Sequence, residues 1–214
     1  MLLVTAALPL PPANGGAVYD LLAPAASDRT VFGADAGDAL RTIETTDLNG
    51  DGKGDLILGA TGARGPSNSR WACGEVYVVL GGSGLPASID LFSPAPAVVI
   101  YGVGNNDQAG NRIKAGDLNG DGYKDLVITA SKASGPAESR SWGGEAYVVW
   151  GASTWPSTVD LANLGAQGTV IFGADAADGP DDLQLRRALV DVGDARVAEM
   201  PLHRVVLHVA TAAQ

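Results

Sequence analysis

Short apolar, β-branched runs recur along this chain, and turn residues separate them. The first set is Thr42 to Thr46, Leu56-Ile57-Leu58, Val76 to Leu80 and Val98 to Tyr101. The second is Ile113 to Gly116, Leu126-Val127-Ile128, Ala146 to Trp150 and Val170 to Phe172. Gly, Pro, Asn and Ser bound the runs, which predicts strands rather than helices. Several runs are apolar at consecutive positions. Strands of that kind are expected to be covered on both faces, with sheets packed between other sheets.

The two sets are copies. Gly74-Glu75-Val76-Tyr77-Val78-Val79 matches Gly144-Glu145-Ala146-Tyr147-Val148-Val149 at an offset of 70 residues. Ile89-Asp90-Leu91 matches Val159-Asp160-Leu161 at the same offset of 70. Phe32-Gly33, Tyr101-Gly102 and Phe172-Gly173 are spaced by 69 and 71. One period shared by independent features marks duplication of a structural unit. Four short strands per unit, stacked on like neighbours, make the blade of a β-propeller. The predicted fold class is therefore all-β: a partial β-propeller of four-stranded antiparallel blades, two complete and two partial. The predicted organisation is a partial N-terminal blade over 1–31, complete repeats over 32–100 and 101–171, and a partial or divergent repeat with a tail over 172–214.

Between the first two strands of each unit lies an acidic loop. Asp47-Leu48-Asn49-Gly50-Asp51-Gly52-Lys53-Gly54-Asp55 returns as Asp117-Leu118-Asn119-Gly120-Asp121-Gly122-Tyr123-Lys124-Asp125. Oxygen-bearing side chains occupy positions 1, 3, 5 and 9 of both copies, with Gly at position 6. A carboxylate or carboxamide at every second residue of a tight turn points its oxygens at one centre, and the position-7 carbonyl can join them. Gly52 and Gly122 are expected at positive φ, where the sharp turn needs them. A hard cation that takes about six to eight oxygens is the natural occupant. The bland alternative is a solvated Asx-rich turn, and two copies with matched ligand positions weigh against it.

Composition bears this out and narrows the rest. The chain has 214 residues, 46% of them hydrophobic, with 29 Gly and few aromatics. That mix suits short strands and tight turns better than long helices. The formal charge of −10 disfavours a nucleic-acid partner, since phosphate binding wants a basic face. A bound divalent cation would offset the local repulsion of each loop. The only cysteine is Cys73, so an intramolecular disulfide is excluded. Both histidines, His203 and His208, lie in the last dozen residues, and the body of the chain holds no Ser/His/Asp or His-metal constellation. No run of 18 apolar residues is present, so no segment is expected to span a membrane. Met1 to Pro12 resembles a signal peptide but lacks a basic n-region, and the repeat register explains it better as a strand.

At the N-terminal end, Leu2 to Ala7 resembles Leu126 to Ser131, and Gly15 to Tyr19 resembles Gly143 to Tyr147. The chain is thus expected to open in mid-blade. At the other end, Val170 to Asp175 opens a further unit, but no Asp-x-Asn-x-Asp-Gly loop follows near 188–196, where Asp191, Asp194 and Glu199 lie without the spacing. The tail from about Asp182 is a divergent last blade, a helical or extended tail, or the product of a reading-frame change.

Together the Phe-Gly or Tyr-Gly start, the Asp-Leu-Asn-Gly-Asp-Gly loop and the Gly-Glu-x-Tyr-Val-Val strand resemble the FG-GAP repeats of integrin α-chain propellers and their bacterial relatives. The resemblance covers Leu2 to Asp178. It implies that each Asp-rich loop binds Ca²⁺ within a blade. Carried over residue by residue, it nominates Asp47, Asn49, Asp51, Asp55 and the Lys53 carbonyl for one site. The other is Asp117, Asn119, Asp121, Asp125 and the Tyr123 carbonyl. Thr46 stands where the family usually has Gly, and Gly59-Ala60-Thr61 and Thr129-Ala130-Ser131 replace its Gly-Ala-Pro.

By this resemblance the chain is a calcium-binding, extracellular or cell-surface module for adhesion or protein interaction, without catalytic residues. The alternative is a non-catalytic propeller module of a larger secreted enzyme of lyase or phospholipase type. An unidentified protein or glycan ligand is expected, with self-association or the remaining blades of a longer chain covering open edges. The recurring Glu75 and Glu145 are read as repeated structural hydrogen-bond acceptors. Asp35, Asp38, Asp107, Asp175 and Asp178 are read as solvated loop acids. Trp71 and Trp142, on long loops, are contact residues or pack against a neighbouring blade. Arg41 and Arg112 are read as neutralising nearby acids, and Cys73 as incidental.

Overall fold

Alternating runs and turns become short strands in the computed structural model, which describes residues 30–82, 85–92 and 96–173. The expectations for residues 1–29 and 174–214, including the partial first unit and the tail, lie outside the described residues. Within them the strands are β1 (Thr30–Phe32), β2 (Leu40–Thr46), β3 (Asp55–Ala60), β4 (Glu75–Val79), β5 (Ser88–Asp90), β6 (Val98–Tyr101), β7 (Ala109–Gly116), β8 (Asp125–Ala130), β9 (Glu145–Val149), β10 (Thr158–Asp160) and β11 (Gly168–Phe172). The fold is all-β, with three-residue 3-10 turns in the connections.

Two antiparallel blades follow the repeat. The first runs β2-β3-β4-β6 and the second β7-β8-β9-β11. Matching registers confirm the duplication: Leu58 faces Tyr77 and Val76 faces Ile100 in the first, while Ile128 faces Tyr147 and Ala146 faces Ile171 in the second. The first strand of each blade starts earlier than the apolar pattern predicts, at Leu40 and Ala109. A register shift near each start, between Leu40 and Thr42 and between Ala109 and Arg112, hides the period there.

The consecutive apolar runs are covered on both faces. Every residue of β3, β4, β8 and β9 is buried. Side chains alternate across a strand. Ile57 therefore joins Val76, Val78, Val98 and Ile100 on the face toward the second blade, against Leu126, Ile128, Tyr147 and Val149. Leu56, Leu58, Ala60, Tyr77 and Val79 line the opposite face with Val31 and Leu91. Each large aliphatic side chain so buried contributes about 1.5–3 kcal/mol, and the cluster between the blades draws side chains from both units. The blades meet tightly at glycines. A β-carbon on Gly59 would overlap the carbonyl oxygen of Gly110. Thr42 Oγ1 also donates to the Asn111 carbonyl at 2.8 Å, and Lys114 pairs with Glu44 at 2.9 Å.

A fifth element per repeat was not legible as a strand. The recurring Ile89-Asp90-Leu91 and Val159-Asp160-Leu161 segments form three-residue strands that leave their own unit. β10 pairs in parallel with β6 of the preceding blade, Val159 opposite Ile100. β5 pairs in parallel with β1 in the same way, Ile89 opposite Val31. Each is a strap from one unit onto the outer strand of the one before. Three residues are too short for an alternation signal, and only the partner strand makes them β.

The strap is clasped by a side chain from the blade it reaches. Arg70 donates from Nη1 and Nη2 to the two carboxylate oxygens of Asp160, each at 2.7 Å, and from Nη1 to the Gly102 carbonyl at 2.7 Å. Both side chains are about three-quarters covered. The guanidinium holds the Asp160 carboxyl below the usual carboxylate range. This corrects the expectation that Arg41 and Arg112 neutralise the acids: neither makes an ion pair among the described residues. Paired forks of this kind outweigh single exposed ion pairs. Asp160→Asn is expected to lower stability by about 1–2 kcal/mol and to speed amide exchange in β6 and β10 while leaving β8 protected. Unchanged exchange in β10 would show that apolar packing alone holds the strap.

Candidate functional site

Each acidic loop closes the hairpin between the first two strands of its blade, β2 to β3 and β7 to β8. The turn is wound around its own side chains. In the first loop Asp51 N–H donates to Asp47 Oδ1 and to Asn49 Oδ1, both at 3.0 Å, and Gly52 N–H to Asp47 Oδ2 at 2.8 Å. In the second loop Asp121 N–H donates to Asp117 Oδ1 at 3.2 Å and to Asn119 Oδ1 at 3.0 Å, and Gly122 N–H to Asp117 Oδ2 at 3.0 Å. Asp51 and Asp121 accept in turn from the N–H groups of Lys53 and Tyr123, each at 2.9 Å. Gly52 and Gly122 sit at φ +81° and +93°, the left-handed region that the sharp turn needs.

The last acid of each loop has a different environment. Asp55 and Asp125 are almost wholly buried. Asp55 Oδ2 accepts from Leu48 N–H at 2.8 Å and Oδ1 from Gly81 N–H at 2.7 Å. Asp125 accepts from Leu118 and Gly151 at 2.8 and 2.7 Å. Each carboxylate thus ties the loop to the chain leaving the blade's third strand. That chain passes so close that a β-carbon on Gly151 would overlap the Lys124 carbonyl oxygen.

As a test of the nominated donors, the residues are all oxygen ligands, the chemistry a hard cation wants. A carboxylate offers about four lone-pair sites, so the N–H bonds leave acceptor capacity on every one. Among the described residues no group of three His, Cys, Asp or Glu side chains is assembled as a metal cluster. The side chains that share donors over each turn are two carboxylates and one carboxamide, with the third carboxylate turned inward. The copies also differ. Lys53 Nζ pairs with Asp51 Oδ2 at 2.9 Å, and its ammonium competes with any cation there. Tyr123 takes that position in the second loop.

A second set of acids lies at the base of the long loops, and the sequence missed its burial. Asp38 and Asp107, expected to be solvated, are 5% and 6% exposed. The reason is tertiary: the long loops after β3 and β8 fold back, so that Gly62 N–H donates to the Asp38 carbonyl and Lys132 N–H to the Asp107 carbonyl. Burial raises the Asp38 carboxyl and pushes Asp107 up to about 6, with Glu145 and Glu138 adding repulsion. Glu75 and Glu145 are the structural acceptors the repeat implied. Glu75 accepts from Gly65 N–H at 2.8 Å and from the Tyr77 hydroxyl at 2.7 Å, and Tyr147 donates likewise to Glu145. Burial raises Glu75 and both tyrosines.

The long loops differ where the tryptophans lie. Trp71 and Trp142 are 60% and 57% exposed. Arg64 stacks over the Trp71 ring, 4.4 Å from its centre. They occupy adjacent rather than equivalent loop positions, since Ala72 and Trp142 share the positive-φ site. Cys73 is buried, and that burial pushes its thiol up to about 11, which leaves it unreactive. Asp175 and Asp178 lie outside the described residues.

The comparisons agree with the repeat geometry. The FG-GAP repeat family model matches residues 40–72 and 109–149, which hold β2, β3 and the first acidic loop, and β7, β8, β9 and the second. Each unit thus carries an FG-GAP repeat match. The chain is 35% identical over 113 residues to phosphatidylinositol-glycan-specific phospholipase D of Rattus norvegicus, covering 51% of this chain and 13% of that protein. It is 33% identical over 112 residues to the Homo sapiens protein of that name, with 51% and 13% covered. The Dictyostelium discoideum protein of the same name is 30% identical over 142 residues, with 60% and 14% covered. The chain therefore spans only 13–14% of the length of these relatives. Among the described residues no helix is long and apolar enough to cross a membrane.

Asp107 sets a testable pH dependence. Its folded-state pKa lies above its unfolded value, so the folded state holds a proton that the unfolded state has lost. Its stabilising protonation is complete below about pH 4 and lost as pH rises through about 6. Asp107→Asn keeps an acceptor for Gly104 N–H, which bonds Oδ2 at 2.7 Å. The variant is expected to be more stable than the parent at pH 7 and to flatten the fall in stability between pH 4 and 6, read by urea titration at each pH. A parallel profile in the two proteins would exclude Asp107 as the source.

Proposed function

We propose that this chain is a calcium-stabilised FG-GAP propeller module that presents its long loops to a partner outside the cell and has no catalysis of its own. The observation that carries the calcium reading is the repetition of one loop in two blades with the same turn hydrogen bonds and all-oxygen donors. Asp47, Asn49, Asp51, Asp55 and the Lys53 carbonyl would hold one ion, and Asp117, Asn119, Asp121, Asp125 and the Tyr123 carbonyl the other. The ion's contribution is charge neutralisation of the two carboxylates that share each turn, Asp47 with Asp51 and Asp117 with Asp121, with the inward-turned Asp55 and Asp125 completing the negative charge of each loop. The role is structural, because each loop closes a hairpin whose strands are already packed. Exposed Trp71 and Trp142 on the long loops supply contact surface of the kind enriched at interfaces, which supports adhesion or protein interaction at a cell surface.

Calcium about 100-fold above its Kd is expected to raise the thermal midpoint of demetallated protein by about 5–10 °C. Asp51→Ala and Asp121→Ala should each shrink the shift. Asp121→Ala should do so more, because Lys53 weakens the first loop as a site. An unchanged midpoint on adding calcium to fully demetallated protein defeats the calcium reading.

The matches to phosphatidylinositol-glycan-specific phospholipase D favour a second reading, in which the module belongs to a larger enzyme of phospholipase type and positions it on its substrate. Both readings place catalysis outside these blades. Incubated with a phosphatidylinositol-glycan substrate, the purified chain is expected to release no product. Release at a rate abolished by a single Asp or Glu substitution would overturn the non-catalytic assignment.

A further inference from the structure

The two acidic loops have one sequence over their turns, Leu-Asn-Gly-Asp-Gly at 48–52 and again at 118–122, yet each Asn-Gly pair is held differently. In both, the asparagine carboxamide oxygen accepts from the N–H two residues on, Asp51 to Asn49 and Asp121 to Asn119, each at 3.0 Å. That bond closes a ring containing the asparagine Cγ and the nitrogen of the following glycine. In the second loop the remaining groups are tied down. Gly120 N–H donates to Asp117 Oδ1 at 2.7 Å, and Asn119 Nδ2 donates to Asp121 Oδ2 at 2.9 Å. In the first loop Asp51 Oδ2, the counterpart of the oxygen that binds Asn119 Nδ2, is taken by Lys53 Nζ at 2.9 Å. Among the described residues neither Gly50 N–H nor the Asn49 carboxamide N–H group finds an acceptor.

We propose that Asn49 is a self-modification site, at which the Gly50 nitrogen attacks the Asn49 carboxamide, and that Asn119 is protected from the same reaction. Gly50 N loses its proton to water and bonds Asn49 Cγ. The Cγ–Nδ2 bond breaks, and ammonia leaves with that proton. The cyclic imide then takes up one water molecule and opens to aspartate or isoaspartate, with no oxidant or cofactor. Gly50 has no side chain to shield its nitrogen. Asp51 N–H, already bonded to Asn49 Oδ1, stabilises the negative charge that develops on that oxygen. In the second loop Asp117 must first release Gly120 N–H, and a bond to a carboxylate is roughly twice as strong as a neutral one. Exposure works the other way, since Asn119 is exposed and Asn49 half-buried. Attack within one dipeptide needs water only to carry the proton and open the ring, so the hydrogen bonds decide. Either product alters the first turn alone. Aspartate adds a carboxylate beside Asp47 and Asp51. Isoaspartate adds a methylene to the main chain next to Leu48, which is buried against the second blade.

The test ages the full 214-residue chain in neutral buffer and follows each Asn-Gly peptide by mass mapping, with fragmentation that separates aspartate from isoaspartate. All samples contain EDTA, so the outcome stands apart from the calcium reading. Asn49 is expected to convert about tenfold faster than Asn119, the factor that one hydrogen bond to a charged group commands. In guanidinium-unfolded chain the two should convert at the same rate, because their neighbours in sequence are the same. Asn49→Gln, which must close a larger ring, should remove the first-loop product and leave the Asn119 rate unchanged. Equal rates in the folded chain, faster conversion at Asn119, or conversion at neither site while the unfolded chain reacts at both would each overturn the proposal. So would a difference that persists after unfolding, since its cause would then lie in the sequence and not in the loop hydrogen bonds.

Discussion

A sheet that is apolar on both faces is stable only between two others. That constraint governs this molecule. β3 and β8 bury all their residues, yet each blade can cover only one side of the next. Leu56 and Leu58 look one way and Ile57 the other, so a single strand serves two cores. Stability is therefore shared across the junction, and the units of this protein are not independent domains. Close approach at Gly59 and Gly110 follows from the same demand, since the inner strands must nearly touch for the faces to mesh.

The polar groups follow from how that junction is sealed. Hairpins at its inner end need a turn, and the acidic loops supply one by folding Asp and Asn side chains back onto their own N–H groups. Asp55 and Asp125 extend this inward, where burial makes their backbone bonds strong. The long loops bury Asp38, Glu75, Asp107 and Glu145 beneath them. Burial makes Asp38, Glu75 and Asp107 costly when ionised, and the Tyr77 hydroxyl and backbone N–H groups partly offset the cost. Arg70 completes the seal by reaching across to Asp160. It converts a three-residue segment with little β signal of its own into a fixed strand.

Function in such an architecture lies on what the blades present. The long loops also carry the exposed Trp71 and Trp142 side chains, although the backbone at Trp71 is tied to Asn105 and Asn106 of the next unit. The relatives that share these repeats are large enzymes of which this stretch is a small part.

Much of this was determined by the sequence alone. The 70-residue period, the main blade strands and the two loops are local patterns. They rest on side-chain alternation, turn residues and the positive φ of Gly52 and Gly122, which act within a few residues. Tertiary structure alone decided the rest. Asp38 and Asp107 read as solvated because loop acids usually are, and only the fold-back of the long loops buries them. Arg41 and Arg112 read as the neutralising cations because they lie near acids in sequence. Arg70 takes that role because its partner, 90 residues away, is brought to it by the next blade. β5 and β10 were visible as repeats but not as strands, since a strand of three residues exists only through the neighbour it pairs with.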